Sequence, residues 1–248
     1  MGGWNRMLII NADDWGRSRA ETDAALRCYQ EGRITSVSAM VFMEDSERAA
    51  ELARENELAV GLHLNFAEPF TGKNYVDLDH CHGRTIRYLM GNKYAQLVYN
   101  PFLRKEFAYS YEAQAREFVR LFDGPPSHID GHHHMHLCAN VLLSKVIPTG
   151  MKMRRNFSFW PDEKSLLNRT YRTFVDRWLA RRYQLPDYFF DLTQCIRDEK
   201  LERVAALAKS NNVELMTHPV ADHEAEYLMS DEFYSILQRL EVGSYAWV

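Results

Sequence analysis

Short apolar runs alternate with longer amphipathic stretches from one end of the chain to the other. The runs at residues 7–12, 36–42, 58–65, 127–129, 151–154, 188–192, 213–217 and 244–248 are compact and apolar, several ending in a polar or charged residue, which predicts eight strands. Between them, residues 19–31, 46–55, 111–122, 166–182 and 199–210 place apolar side chains at helical spacing with charges on one side. Gly32 stands where a glycine ends a helix. Strand followed by helix, repeated this often, favours crossover units over hairpins. The fold class expected is α/β: a β/α barrel, regular or irregular, in a single domain over residues 1–248. Residues 66–109 are the least regular part and are expected to form a loop or helical excursion over one end, a natural place for substrate contacts or simply surface.

Composition narrows the function. The 248 residues are 46% hydrophobic and 26% charged, ordinary for a soluble globular domain, and the net charge of −4 provides no basic field for a phosphate backbone, so nucleic acid is not an expected partner. Cys28, Cys81, Cys138 and Cys195 include no C-x-x-C pair and read as reduced core residues rather than a disulfide framework or zinc knuckle. The apolar Met7-Leu8-Ile9-Ile10 is cut off by Asn11 and two aspartates, too short for a signal peptide, and no segment approaches about 18 consecutive apolar residues. A cytoplasmic chain without a membrane span is expected.

The densest chemistry lies in Ser127-His128-Ile129-Asp130-Gly131-His132-His133-His134-Met135-His136, which holds half of the chain's 10 histidines. If this segment is extended, His128, Asp130, His132, His134 and His136 share one face. Neutral imidazole is a common ligand for zinc and similar ions, and a nearby carboxylate fixes its tautomer. Five histidines cannot all bind one ion, so some must orient others or touch substrate. At the end of the first run, Asn11-Ala12-Asp13-Asp14-Trp15-Gly16 places adjacent carboxylates where a β/α barrel carries its active site, although Asp-Asp after a strand also serves as a turn or helix cap. Asp14 as a metal ligand and Asp13 beside the attacking water would divide the labour of hydrolysis. His63, near the end of the third run, is either a core histidine or the member that completes a two-histidine, one-carboxylate set with Asp14 and one of the clustered histidines. His218, in Glu214-Leu215-Met216-Thr217-His218-Pro219, could equally be structural or the acid that protonates a leaving amine. Arg154 and Arg155 end another run and suit a substrate hydroxyl, carboxylate or phosphate, with at least one of them expected on the surface. No G-x-S-x-G elbow, P-loop, dinucleotide fingerprint or H-E-x-x-H helix is present.

With these motifs in view, the sequence resembles the YdjC-like family of carbohydrate deacetylases. The resemblance rests on Asn11-Ala12-Asp13-Asp14-Trp15-Gly16, Thr35-Ser36, Gly61-Leu62-His63, the helix bearing Gln114, the His128–His136 motif and Glu214-Leu215-Met216-Thr217-His218-Pro219, in family order along nearly the whole chain. It implies a β/α barrel related to polysaccharide deacetylases, one divalent metal ion (zinc or magnesium) and hydrolysis of the N-acetyl group of an amino sugar or oligosaccharide. It also implies Asp14, His63 and His132 as metal ligands and Asp13 as the base, and makes His218 the candidate acid. His128, Asp130, His134 and His136, with Arg154, would support the ligands or touch substrate. Trp15 stands where the family usually has Phe, and Val220 where a Gly is common; neither change removes a ligand. Homodimerisation is expected by analogy alone. Two other readings stay open from the residues: a phosphoesterase using a second metal, and a metal- or carbohydrate-binding protein without catalysis.

Overall fold

The structure is a computed structural model that describes residues 6–72, 76–160 and 163–247. Its first half runs β1 (Leu8–Trp15), α1 (Arg19–Gln30), β2 (Ser36–Ala39), α2 (Ser46–Glu55), β3 (Val60–Leu64), α3 (Val76–Gly91), α4 (Arg104–Phe122), β4 (Ile129–Gly131) and α5 (Ala139–Ser144). The second runs α6 (Leu166–Leu179), β5 (Tyr188–Asp191), α7 (Leu192–Arg197), α8 (Leu201–Ala208), β6 (Val213–Thr217), α9 (Asp222–Leu228), α10 (Asp231–Leu237) and β7 (Val242–Gly243). This is the α/β class read from the sequence, with parallel strands joined through helices. Among the described residues no helix is long and apolar enough to cross a membrane.

Local chemistry accounts for the elements. All eight side chains of β1 are buried, the polar Asn11, Asp13 and Asp14 among them. Helix α1 closes as expected at Gly32, whose φ of 66° lets Gly32 N–H reach Tyr29 O (2.9 Å) and Arg33 N–H reach Cys28 O (2.8 Å). Helix α2 packs through Ala49, Ala50 and Ala53, and α4 through Phe107, Tyr111, Gln114, Phe118 and Leu121, each set repeating at three- and four-residue intervals.

The chain forms two compact units, each assembled from separate segments. The first takes residues up to Ala12, Ala24–Val37 and everything from Thr149 onward. In it β1 pairs in parallel with β6, Leu8 opposite Val213 and Ala12 opposite Thr217, β6 pairs with β5, and β7 joins the start of β1. The second unit takes Asp13–Asp23 and Ser38–Pro148. Here β3 pairs with β4 in a register that sets Leu62 beside Ile129, His63 beside Asp130 and Leu64 beside Gly131.

Three expectations change. Residues 151–154 form no strand; Lys152 makes an isolated bridge to Gln184, while Arg154, two residues on, turns into an ion pair with Glu214. The last strand is Val242–Gly243, and the expected run from Ser244 becomes a 3₁₀ turn over Tyr245–Trp247, with Ser244 Oγ accepting from Ala246 N–H at 3.3 Å in place of a ladder bond. Val248 lies outside the described residues, as do residues 73–75 of the expected excursion. The described parts of 66–109 are largely helical: they contain α3 and the first turns of α4, which therefore begins at Arg104 rather than near Tyr111.

Candidate active site

Within the second unit, the end of β1 solves a geometric problem posed by two adjacent aspartates. Successive strand residues point to opposite faces, but Asp14 has a φ of 65°. That left-handed conformation, which Asp tolerates better than most residues, turns its carboxylate away from the strand alternation. Trp15, fully buried, anchors the turn by donating Nε1–H to Ala49 O at 3.1 Å. Asp14 Oδ1 then lies 2.9 Å from His132 Nδ1 and 3.3 Å from His63 Nε2, and Asp13 Oδ2 lies 3.9 Å from His63 Nε2.

His63 arrives from β3 and is held from behind by its register partner: Nδ1 sits 2.8 Å from Asp130 Oδ1. His132 follows β4, with Gly131 keeping the chain extended before it. One potential ligand atom from each of Asp14, His63 and His132 lies within 4.8 Å of the others, and all three residues are buried. The same holds for Asp13, His63 and Asp130.

Charge is concentrated here and largely compensated. Burial would raise the Asp14 carboxyl, but hydrogen bonds from His132 and His63 outweigh it and hold the group far below the usual carboxylate range. Burial works against a charged His63, yet the Asp130 and Asp13 carboxylates raise its pKa to about 10; His132 is raised as well, by Asp14 and Glu68. Binding a metal here would require these ligands to shed their protons. His132 Nε2 is buried without a hydrogen-bond partner, a polar atom in need of one. A carboxylate with two imidazoles, one with a lone nitrogen, fits a divalent ion of the zinc type.

The remaining histidines of the motif part company. The segment is extended only as far as Gly131; His133 and His134 have φ values of 51° and 58° inside a 3₁₀ turn over His132–Leu137. The common face therefore ends at His132. His128 is buried against Ser38, with Nε2 3.0 Å from Ser38 Oγ, while His134 and His136 contact each other edge to face at 6.4 Å. In the first unit, His218 follows β6 in a group with Asp191 and Glu224, again with ligand atoms within 4.8 Å of one another. Arg154 is fully buried, its Nε 2.7 Å from Glu214 Oε1 and its guanidinium over Phe189, and Arg155 pairs with Asp176 at 2.6 Å. Neither arginine is the solvated surface residue expected for at least one of them.

Three neighbours of the site escaped the sequence reading. Ser38 bridges His128 and Asp130, Glu68 Oε2 lies 3.6 Å from His132 Nε2, and Arg17 grips Glu68 through two bonds of 2.8 and 3.0 Å while standing 3.8 Å from Asp14. Ser38 could have been found as a polar residue alternating within an otherwise apolar strand; Glu68 lies in the irregular segment and carried no signal.

The buried Asp14, His63 and His132 at strand ends of a parallel α/β fold form a group that could hold a metal ion, and the comparisons with known proteins identify the family. Residues 7–239 match the YdjC-like protein family, and the chain belongs to it. A chitooligosaccharide deacetylase of Proteus mirabilis is 34% identical over 229 residues, 86% of this chain and 81% of that protein. One from Klebsiella pneumoniae is 34% identical over 139 residues, 55% of this chain, so that match spans about half of the relative, 52%. Among solved structures, an Enterococcus faecalis protein described provisionally as a cellobiose-phosphate cleavage protein shares the fold, with a TM-score of 0.71 over 98% of both chains at 19% identity.

Proposed function

We propose that this chain is a metal-dependent carbohydrate N-deacetylase, hydrolysing the acetamide of an N-acetylated amino sugar or oligosaccharide to acetate and free amine. The observation that carries this reading is the buried convergence of Asp14, His63 and His132 beside Asp13, in a chain of the YdjC-like family whose relative over most of its length is named a chitooligosaccharide deacetylase. Asp14, His63 and His132 would hold the cation, zinc or magnesium. When bound, it supplies a Lewis acid for the amide oxygen and makes water more acidic, to a pKa of about 7 in the zinc case. Asp13, whose carboxylate reaches the His63 end of the group, takes the proton from the attacking water. His218, on the strength of the resemblance, gives a proton to the departing amine. Asp130 orients His63, and Arg17 with Glu68 confines the open side of His132.

The family match runs through segments of both units, which supports treating residues 1–248 as one catalytic domain. Four free cysteines suit a reducing, cytoplasmic setting. Asp130 is already engaged by His63 and Ser38, which leaves it poorly suited to a second metal and weighs against the phosphoesterase alternative.

The test is acetate release from a panel of N-acetylated mono- and oligosaccharides, with and without chelator and added divalent ions. Wild-type protein should release acetate only with metal. Asp13→Asn should lower kcat by about 10²–10⁴-fold at unchanged metal stoichiometry. Full activity in that variant removes Asp13 from the chemistry, and no release from any sugar by metal-loaded protein overturns the deacetylase reading.

A further inference from the structure

Behind His63 lies a chain of buried polar contacts longer than metal binding alone requires. Ser127 Oγ is 3.0 Å from His128 Nδ1, His128 Nε2 is 3.0 Å from Ser38 Oγ, Ser38 Oγ donates to Asp130 Oδ2 at 2.8 Å, and Asp130 Oδ1 is 2.8 Å from His63 Nδ1. His63, Ser38, His128 and Asp130 are each no more than 1% exposed.

The direction of every bond follows from one hydroxyl. Ser38 has a single hydroxyl proton, and the Asp130 carboxylate can only accept, so that proton goes to Asp130. Toward His128 the Ser38 oxygen is then an acceptor, and His128 must carry its proton on Nε2. A neutral His128 is left with a bare Nδ1, which accepts from Ser127. At the other end, the second oxygen of Asp130 accepts from His63 Nδ1–H, and the Nε2 of a neutral His63 presents its lone pair toward Asp14 and Asp13.

We infer that Ser38 and His128 are positioning residues that lock Asp130, and through it fix His63 with its proton on Nδ1 and its Nε2 ready to bind a cation. A second, independent observation points the same way. A Cβ on Gly61 would come within 2.2 Å of His128 Cε1 and 2.5 Å of both ring nitrogens. Glycine inside a strand weakens it, so its place in β3 has a packing reason, and here the space it leaves is filled by the His128 ring. Gly61, two residues before His63, keeps the relay in place without touching the ligands. The inference rests on the reading of Asp14, His63 and His132 as metal ligands and adds to it four residues that touch neither metal nor substrate: Gly61, Ser38, His128 and Ser127.

The experiment titrates zinc into the metal-stripped full-length chain by calorimetry, for wild type, Ser38→Ala, Ser38→Thr, Gly61→Ala and, as reference, His132→Ala. Nitrogen-15 spectra of the zinc-loaded imidazoles are recorded alongside. Ser38→Ala leaves the His63–Asp130 contact intact, yet zinc affinity should fall about 10–100-fold. Ser38→Thr, which keeps the hydroxyl, should recover most of the loss. Gly61→Ala should weaken zinc binding comparably; should it fail to fold, the serine pair still decides. His128 should show the neutral Nε2–H tautomer in wild type and lose that fixed signature in Ser38→Ala, a change that loose packing alone would not produce. If wild type binds zinc, His132→Ala does not, and Ser38→Ala binds as tightly as wild type, the relay is overturned while the metal site stands. A charged or Nδ1–H His128 overturns it equally. If wild type takes up neither zinc nor, in a parallel titration, magnesium, the metal-ligand reading falls and the relay falls with it.

Discussion

Each of the two units contains a group of histidine and carboxylates tight enough to suggest a metal: Asp14, His63 and His132 in one, Asp191, His218 and Glu224 in the other. They differ in what already occupies the carboxylates. Asp14 Oδ1 faces two imidazoles, both ligand-capable. Glu224, only 1% exposed, is held by two threonine hydroxyls and one backbone N–H: Oε2 accepts from Thr217 Oγ1 at 2.6 Å and from His218 N–H at 2.5 Å, and Oε1 from Thr193 Oγ1. Asp191 Oδ1 caps α7, accepting from Gln194 N–H at 2.7 Å. In the second group the carboxylates shape a loop and the imidazole of His218 is the part left for chemistry. Proximity of donors is therefore not enough to suggest a metal centre: in the first group the carboxylate is bonded by imidazoles that could share a cation with it, whereas in the second the carboxylates are bonded by hydroxyls and backbone N–H groups that could not.

The largest effect that would break this contrast is on the first group. His132→Ala should abolish both metal retention and acetate release, since it removes one of three ligands; metal held at wild-type stoichiometry would show that another of the clustered histidines does the binding. Next in size, His218→Ala should lower kcat about 10²–10⁴-fold, as expected for loss of a general acid, with metal content unchanged. Elemental analysis of the purified variant decides it. A fall in metal content would make the second group a metal site after all and erase the distinction.

How much of this could be read in advance follows from which periodicities survive. Strands β3 and β6 and helix α2 lie within about two residues of the runs that predicted them, because apolar periodicity continues to the element ends, whereas β1 runs three residues past its expected end at Ala12, through the polar Asp13 and Asp14. Helix α3 was missed although its buried face, Leu78, His82, Thr85 and Leu89, has helical spacing, because half of that face is polar. The histidine motif misled in a different way. Period two holds from His128 through His132 and then breaks where His133 and His134 enter left-handed conformations, which nothing in their side chains announces. Asp14, His63 and His132 are brought together as a group that the motifs could suggest, but Ser38 and Glu68 became visible only once their strands and turns had been placed.

Two smaller effects sharpen the comparison. Glu224→Gln exchanges an acceptor oxygen for a donor NH₂ among three donors. It should cost about 1–3 kcal/mol in denaturant unfolding while metal content stays at the wild-type level. Unchanged stability would mean that the carboxylate is not structurally committed and could serve as a ligand.

The last contrast uses a third histidine, buried with no carboxylate bonded to its ring. His82, 1% exposed on α3, stacks on Phe70 at 3.9 Å and contacts Ser110 Oγ and Glu68 O, and no carboxylate bonds its ring. Burial pulls its pKa down to about 4 against the partial relief of the Glu68 carbonyl and the Asp79 charge, the reverse of His63, where bonded and neighbouring carboxylates overcome burial. A folded-state pKa of about 4 below the 6.5 of an unfolded histidine means that the unfolded chain binds more protons between those values. Stability contributed by neutral His82 is then complete above pH 6.5 and lost as pH falls toward 4, with a slope of at most one proton, about 1.4 kcal/mol per pH unit. Denaturant curves for wild type and His82→Gln across this window isolate the contribution, because Glu68, held down to about 2, and the other carboxylates titrate in both proteins. Wild type should lose stability relative to the variant as the solution is acidified. Parallel curves would mean that burial does not govern His82, and the argument that carboxylates alone reverse its effect at His63 would lose its reference point.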